Sequence, residues 1–135
     1  MNVLLSVKPK YVNSILKGKK EYEFRKKMFK KGPINFIFIY SSSPVKKIVG
    51  YFKLGEIIED HPKMLWDKLS GVSGLNKEEF LDYFKNKEIG YALKITDLKR
   101  FKIPENPNYL IKNFHPPQSF CYVDITQSCE SLIKS

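Results

Sequence analysis

Glu23 and Arg25, set in the basic stretch LKGKKEYEFRKKMFKKG just after Lys19 and Lys20, have the side-chain types and spacing to grip an anion and orient a group beside it. Read as a strand, EYEFR alternates: Glu21, Glu23 and Arg25 share one face while Tyr22 and Phe24 take the other. On that face Glu23 and Arg25 stand about 7 Å apart along the chain. A guanidinium held by a carboxylate is a preorganised fork for phosphate or a base edge. The plain alternative is a half-buried strand whose exposed charges pair with each other for a fraction of a kcal/mol.

Two further stretches carry hydroxyls and amides in positions that suit recognition. Ser41, Ser42 and Ser43 end an apolar run ahead of Pro44, where hydroxyls and free N–H groups can hold phosphate. Gln118 and Ser119 lie in HPPQSF, a proline-stiffened loop. There Gln can pair with a base edge and Phe120 can offer a stacking face. Other chemistry is absent from the sequence. It has no P-loop, G-x-G-x-x-G, G-x-S-x-G or H-E-x-x-H, so no cofactor is expected. Cys121, Cys129, His61 and His115 match no zinc spacing, so no metal is expected and the thiols read as unpaired. The acidic residues after position 55 read as solvated helix surface, and Trp66 as core.

Charge is unevenly spread. The formal net charge is +10, yet residues 1–31 hold ten basic side chains against Glu21 and Glu23. A basic surface of this kind concentrates polyanions near it. No apolar run approaches the length of a membrane span. The opening MNVLLSVKPK lacks the charged start and small-residue exit of a signal peptide, so the expected address is the cytosol.

These residues need elements to position them. Val3 to Val7 is a buried strand by composition. KPKYVNSILKGK follows as a short helix, with Pro9 in its first turn, an apolar stripe at Tyr11, Val12, Ile15 and Leu16, and Gly18 at its end. EYEFR, INFIFIYSSS and KKIVGYFKLGEIIED read as strands, the last bent at Gly50 and Gly55. Two helices occupy the centre, the second opened by an Asn76–Glu79 capping box. EIGYALKITDLKRF is a further strand, KIPENPNYLIKNFHPPQSF is mostly loop, and FCYVDI is a last strand. The tail after about Asp124 is expected to fray. Together these give one α+β domain over residues 1–135, built on a small, curved β-barrel of about six strands with flanking helices.

The order of KPKYVNSILKGKKEYEFRK, IYSSSPVKKIVGYF, YALKI and PPQSF resembles the ASCH domain family of the PUA-like superfamily. Its strongest element is G-x-K-x-x-E-x-R, matched by Gly18, Lys20, Glu23 and Arg25. The resemblance implies a basic cleft between the first helix and the barrel that takes RNA or a nucleotide-like ligand. Lys20 and Arg25 would hold an anionic group, Glu23 would accept from a base, and Lys8, Ser41, Ser42, Ser43, Gln118 and Ser119 would complete the rim. One enzymatic group in the family deacetylates acetylated cytidine with a Lys, a Thr nucleophile and a Glu. Glu23 stands where that group has its Thr, and Glu78 and Glu79 are nearest to its Glu, so that reaction is not expected here.

The resulting expectation is an RNA-binding module, with regulation of translation or transcription as its expected setting, and monomeric by default. The alternative is a hydrolase of RNA or a modified nucleoside using Lys20 and Glu23. A third reading uses the basic surface on an acidic protein partner.

Overall fold

The apolar run near the N-terminus forms β1 (Asn2–Val7), which is almost wholly buried in the computed structural model, described over residues 1–135. Lys8 then caps α1 (Pro9–Leu16), whose Val12 and Ile15 dock on the sheet. A helix of eight residues is too short to persist alone, so its stability lies in that docking. It ends in a Schellman turn. Gly18 takes a φ of +77°, its N–H donates to the Ile15 carbonyl, and the Lys19 N–H donates to Ser14. That reversal aims the next residue, Lys20, inward.

β2 (Tyr22–Arg25) follows, then β3 (Ile37–Ser41) and β4 (Lys47–Asp60). α2 (Pro62–Leu69) and α3 (Lys77–Tyr83) separate these from β5 (Gly90–Glu105). α4 (Pro107–Leu110) and β6 (Phe120–Val123) complete the chain. The strands form one six-stranded sheet in the order β2-β5-β4-β3-β1-β6, with β1 and β3 parallel and the other neighbours antiparallel. This is the expected α+β, PUA-like architecture, realised as a curled half-barrel.

The curl comes from β4 and β5, whose pairing shifts register near Gly50 and again between Leu54 and Ile57. A Cβ on Gly50 would collide with the Lys99 carbonyl, so the close approach of the two strands there needs glycine. No backbone pairing joins the end strands β2 and β6. A side chain does the joining instead: Arg25, at the end of β2, donates to the Ser6 carbonyl of β1 at 3.2 Å and to Ser119 Oγ beside β6 at 3.1 Å.

Three expectations change. The strand EYEFR is not half-buried: all four residues of β2 are buried, because α2 and α3 cover Tyr22 and Phe24 while the curl closes over Glu23 and Arg25. β5 runs on to Glu105 through Pro104, and α4 follows, so less of 102–120 is loop than its Pro and Asn content suggests. The tail is packed rather than frayed. Cys129 is buried in the cluster of Leu4, Phe38, Tyr51 and Phe101, Ile133 bridges to Phe101, and the Lys134 N–H donates to the Arg100 carbonyl. No helix is long and apolar enough to cross a membrane.

Candidate functional site

Lys20, Glu23 and Arg25 converge on the floor of a cavity of about 470 Å³ between α1, α3 and the sheet. Each is more than nine-tenths buried. Glu23 stands between the two cations, accepting from Arg25 at 2.7 Å and lying 3.6 Å from the Lys20 ammonium. Lys20 also donates to the Ser73 carbonyl at 2.9 Å, and its ammonium sits 4.7 Å above the Phe24 ring. Gly74, at a φ of +69°, leaves room for this: a Cβ there would meet the Lys20 side chain at 2.6 Å. The floor thus buries two positive charges with one negative. Burial pushes the Lys20 ammonium below its ordinary value, and the Glu23 carboxylate opposes that shift. Arg25 Nε is buried and donates to nothing, and such an orphan N–H is costly unless a ligand accepts it.

The wall facing this floor is built from α1 and α3. Glu79 Oε2 accepts from the Tyr11 hydroxyl and from Lys10, both at 2.7 Å, tying α1 to α3. Its other oxygen closes the capping box on the Asn76 N–H. These donors hold the Glu79 carboxyl down to about 2. Burial and the Glu79 carboxylate push the Tyr11 phenol up to about 12. Asp82 and Tyr83 line the same wall, and the Tyr83 hydroxyl donates to the Phe24 carbonyl. The helical pattern assigns Glu79 to a cap, and that description is correct but conceals its second use in tying α1 to α3.

Of the other candidates, Lys8, Ser42 and Gln118 line the cavity. Ser119 reaches it through its bond to Arg25. Ser41 and Ser43 lie outside: Ser41 is buried inside the sheet at the end of β3, and Ser43 projects into solvent from the following turn. The cleft is also not basic. Lys8, Lys20 and Arg25 are matched by Glu23, Glu79 and Asp82 around its lining. The surplus lysines lie on the exterior. No three His, Cys, Asp or Glu side chains gather in a group able to hold a metal ion.

The residue pattern of the ASCH domain family matches residues 5–101, which run from the second half of β1 through the motif on the cleft floor to most of β5. The chain belongs to the ASCH domain family. A relative called "ASCH domain-containing ribonuclease", from Zymomonas mobilis, is 30% identical over 134 residues, 96% of this chain and 90% of that one. The crystal structure of ASCH from Zymomonas mobilis superposes with a TM-score of 0.81 at 28% identity, covering 91% of this chain and 87% of that one. A tyrosine-to-phenylalanine mutant of that ASCH protein also superposes with a TM-score of 0.81, at 27% identity, covering 91% and 90%. The ASCH fold is therefore shared along nearly the whole chain, not only around the motif.

Proposed function

We propose that this ASCH protein recognises RNA by holding one unstacked nucleotide in the cleft above Lys20, Glu23 and Arg25. The observation that carries the reading is the excess positive charge of the floor. Two buried cations share a single carboxylate, and Arg25 Nε has no protein partner, so the cleft presents donors that an anionic or carbonyl-bearing ligand would satisfy. A cavity of about 470 Å³ falls in the size range of small-ligand sites and suits one nucleotide, not a duplex. RNA is favoured as the source of that nucleotide by the ribonuclease name of the Zymomonas relative.

The test is binding of single-stranded RNA to wild type, Arg25→Ala and Lys20→Met. Loss of about 1–3 kcal/mol in Arg25→Ala is expected if the guanidinium reads a base edge. Undiminished binding in both variants would remove the cleft from the reading.

A second reading, cleavage of the bound RNA, is favoured by the same relative's name. In it the ribose 2′-oxygen attacks the adjacent phosphorus, its proton passes to a base, and the 5′-oxygen leaves with a proton from an acid. Lys20 is the residue suited to the base, since burial lowers its proton affinity. Glu23 is less free to act, with its oxygens engaged by Arg25 and Lys20. Mutants of the Zymomonas ASCH protein exchange a tyrosine for phenylalanine and a serine for alanine. In this cleft the side chains of those types are Tyr11, Tyr83, Ser6 and Ser42. Mass spectrometry of a transfer-RNA pool after incubation with wild type and Lys20→Met separates the readings. New fragments that vanish in the variant make the protein a nuclease, while intact RNA at binding concentrations makes it a reader.

A further inference from the structure

We infer that the loop between β2 and β3 is a second contact surface, a phosphate track for single-stranded RNA running out of the cleft. The inference rests on the RNA reading above and extends it beyond the cleft. From Phe24 to Gly55 the chain contains eight basic residues and no acidic one. Four of the eight, Lys26, Lys27, Lys30 and Lys31, lie in this loop, and all four are exposed. None of them forms an ion pair.

A lysine loop in water is ordinarily loose, and ordering it on a partner would cost affinity. This loop is already tied down. Phe29 packs edge-on against Phe120 at 4.9 Å, and both Met28 and Phe29 lie against the main core. The Tyr122 hydroxyl accepts two consecutive backbone N–H groups, from Lys30 at 2.9 Å and Lys31 at 3.0 Å. The backbone is held while no carboxylate neutralises the ammonium groups, an arrangement suited to a polyanion.

The loop also has a direction. It starts at Arg25 on the cleft floor, and the Lys26 ammonium lies 4.5 Å over the ring of Tyr83 in the cleft wall. It then passes along β6, where the Lys31 ammonium lies 5.0 Å over the Tyr122 ring. The charge-balanced cleft offers a poor path for several phosphates, whereas this row of unpaired lysines begins at its edge. A strand with one nucleotide in the cleft would lay its following phosphates along Lys27, Lys30 and Lys31.

The test compares Lys27→Gln/Lys30→Gln/Lys31→Gln with wild type. The probes are a single-stranded RNA of about 12 nucleotides and a dinucleotide, followed by fluorescence anisotropy over a salt series. Each lost phosphate contact should reduce the log–log salt slope by about 0.7, so a fall of about 2 is expected for the longer RNA. Its affinity should drop at least about tenfold at low salt while dinucleotide binding stays unchanged. Tyr122→Phe, which removes no charge, should weaken the longer RNA alone by freeing the loop. An unaltered slope and affinity in the triple variant, beside normal wild-type binding, would overturn the track and leave the cleft reading standing. Polyglutamate displacing the longer RNA as well as unlabelled RNA does would also overturn it, in favour of an acidic protein partner. Wild-type protein that binds neither probe would refute the RNA reading itself.

Discussion

Glu23 is the residue on which the floor of the cleft depends. With one carboxylate it offsets two cations that have almost no access to water. Glu23→Gln keeps the shape and removes the charge, leaving Lys20 and Arg25 to repel each other across a dry site. Breaking a buried pair in this way costs about 3–5 kcal/mol. At roughly 3–4 °C per kcal/mol, a fall in Tm of at least about 10 °C is expected in thermal unfolding. Lys20→Met behaves differently, since it removes the surplus charge and leaves a matched Glu23–Arg25 pair. Near neutral pH this variant is expected to be about as stable as wild type, so any loss of RNA binding in it would not reflect unfolding. The pH dependence separates the two effects. The folded-state value of Lys20 lies below its unfolded one, so between the two the unfolded chain binds the extra proton, and stability contributed by this site rises with pH. Urea midpoints measured as pH climbs toward 10.5 should rise in wild type relative to Lys20→Met.

Among the elements, α1 and α3 form the mouth of the cleft, and their link is Glu79 with Lys10 and Tyr11. The Glu79 carboxyl is held at about 2, below its ordinary 4.5, so the folded state favours the charged form. Its contribution is complete above about pH 5 and is lost as the pH falls from 4.5 toward 2. Tyr11 titrates at about 12, above its ordinary 10, so the folded chain keeps a proton that the unfolded chain releases. That contribution disappears between pH 10 and 12. Glu79→Gln should flatten the acid limb of a stability–pH profile, and Tyr11→Phe the alkaline limb. Equal acid limbs in wild type and Glu79→Gln would show that this bond does not couple the helices. Half of the capping box, the Glu79 N–H on Asn76 Oδ1, survives in the glutamine variant, so α3 itself should persist.

On the scale of the whole molecule, the curl of the sheet is closed by chemistry at one end and by the tail at another side. Arg25 spans from β2 to β1 and to the loop before β6, where no backbone pairing exists. Arg25→Ala should therefore speed amide hydrogen exchange in β2 and at Ser6, beyond any loss of binding. The free edge of β5 near Arg100 and Phe101 is covered by Ile133 and Lys134, and the cluster beneath includes Cys129, Leu132 and Ile133. Deleting residues 128–135 should cost about 2–4 kcal/mol through the apolar surface it exposes, read as a lower urea midpoint. A midpoint equal to that of the full chain would show that the tail adds nothing to the fold.

Sequence alone determined the elements set by local chemistry. The Pro9 start and Gly18 end of α1, the Asn76–Glu79 box and the glycines at the bends of β4 are legible because each depends on neighbours a few residues away. The G-x-K-x-x-E-x-R motif was legible for the same reason: a Schellman turn and a strand fix where Lys20, Glu23 and Arg25 point. Tertiary structure decided what those positions mean. That β2 is buried on both faces and Ser42 lines the cleft while Ser41 and Ser43 do not depends on how the sheet curls. That Glu79 and Asp82 join Glu23 in offsetting the basic charge of the cleft, and that the lysine loop is hydrogen-bonded to Tyr122 of β6, depends on contacts between residues dozens of positions apart. Such long-range pairings are set by competition among all the apolar surfaces that must be buried at once, and no local pattern of residues encodes that competition.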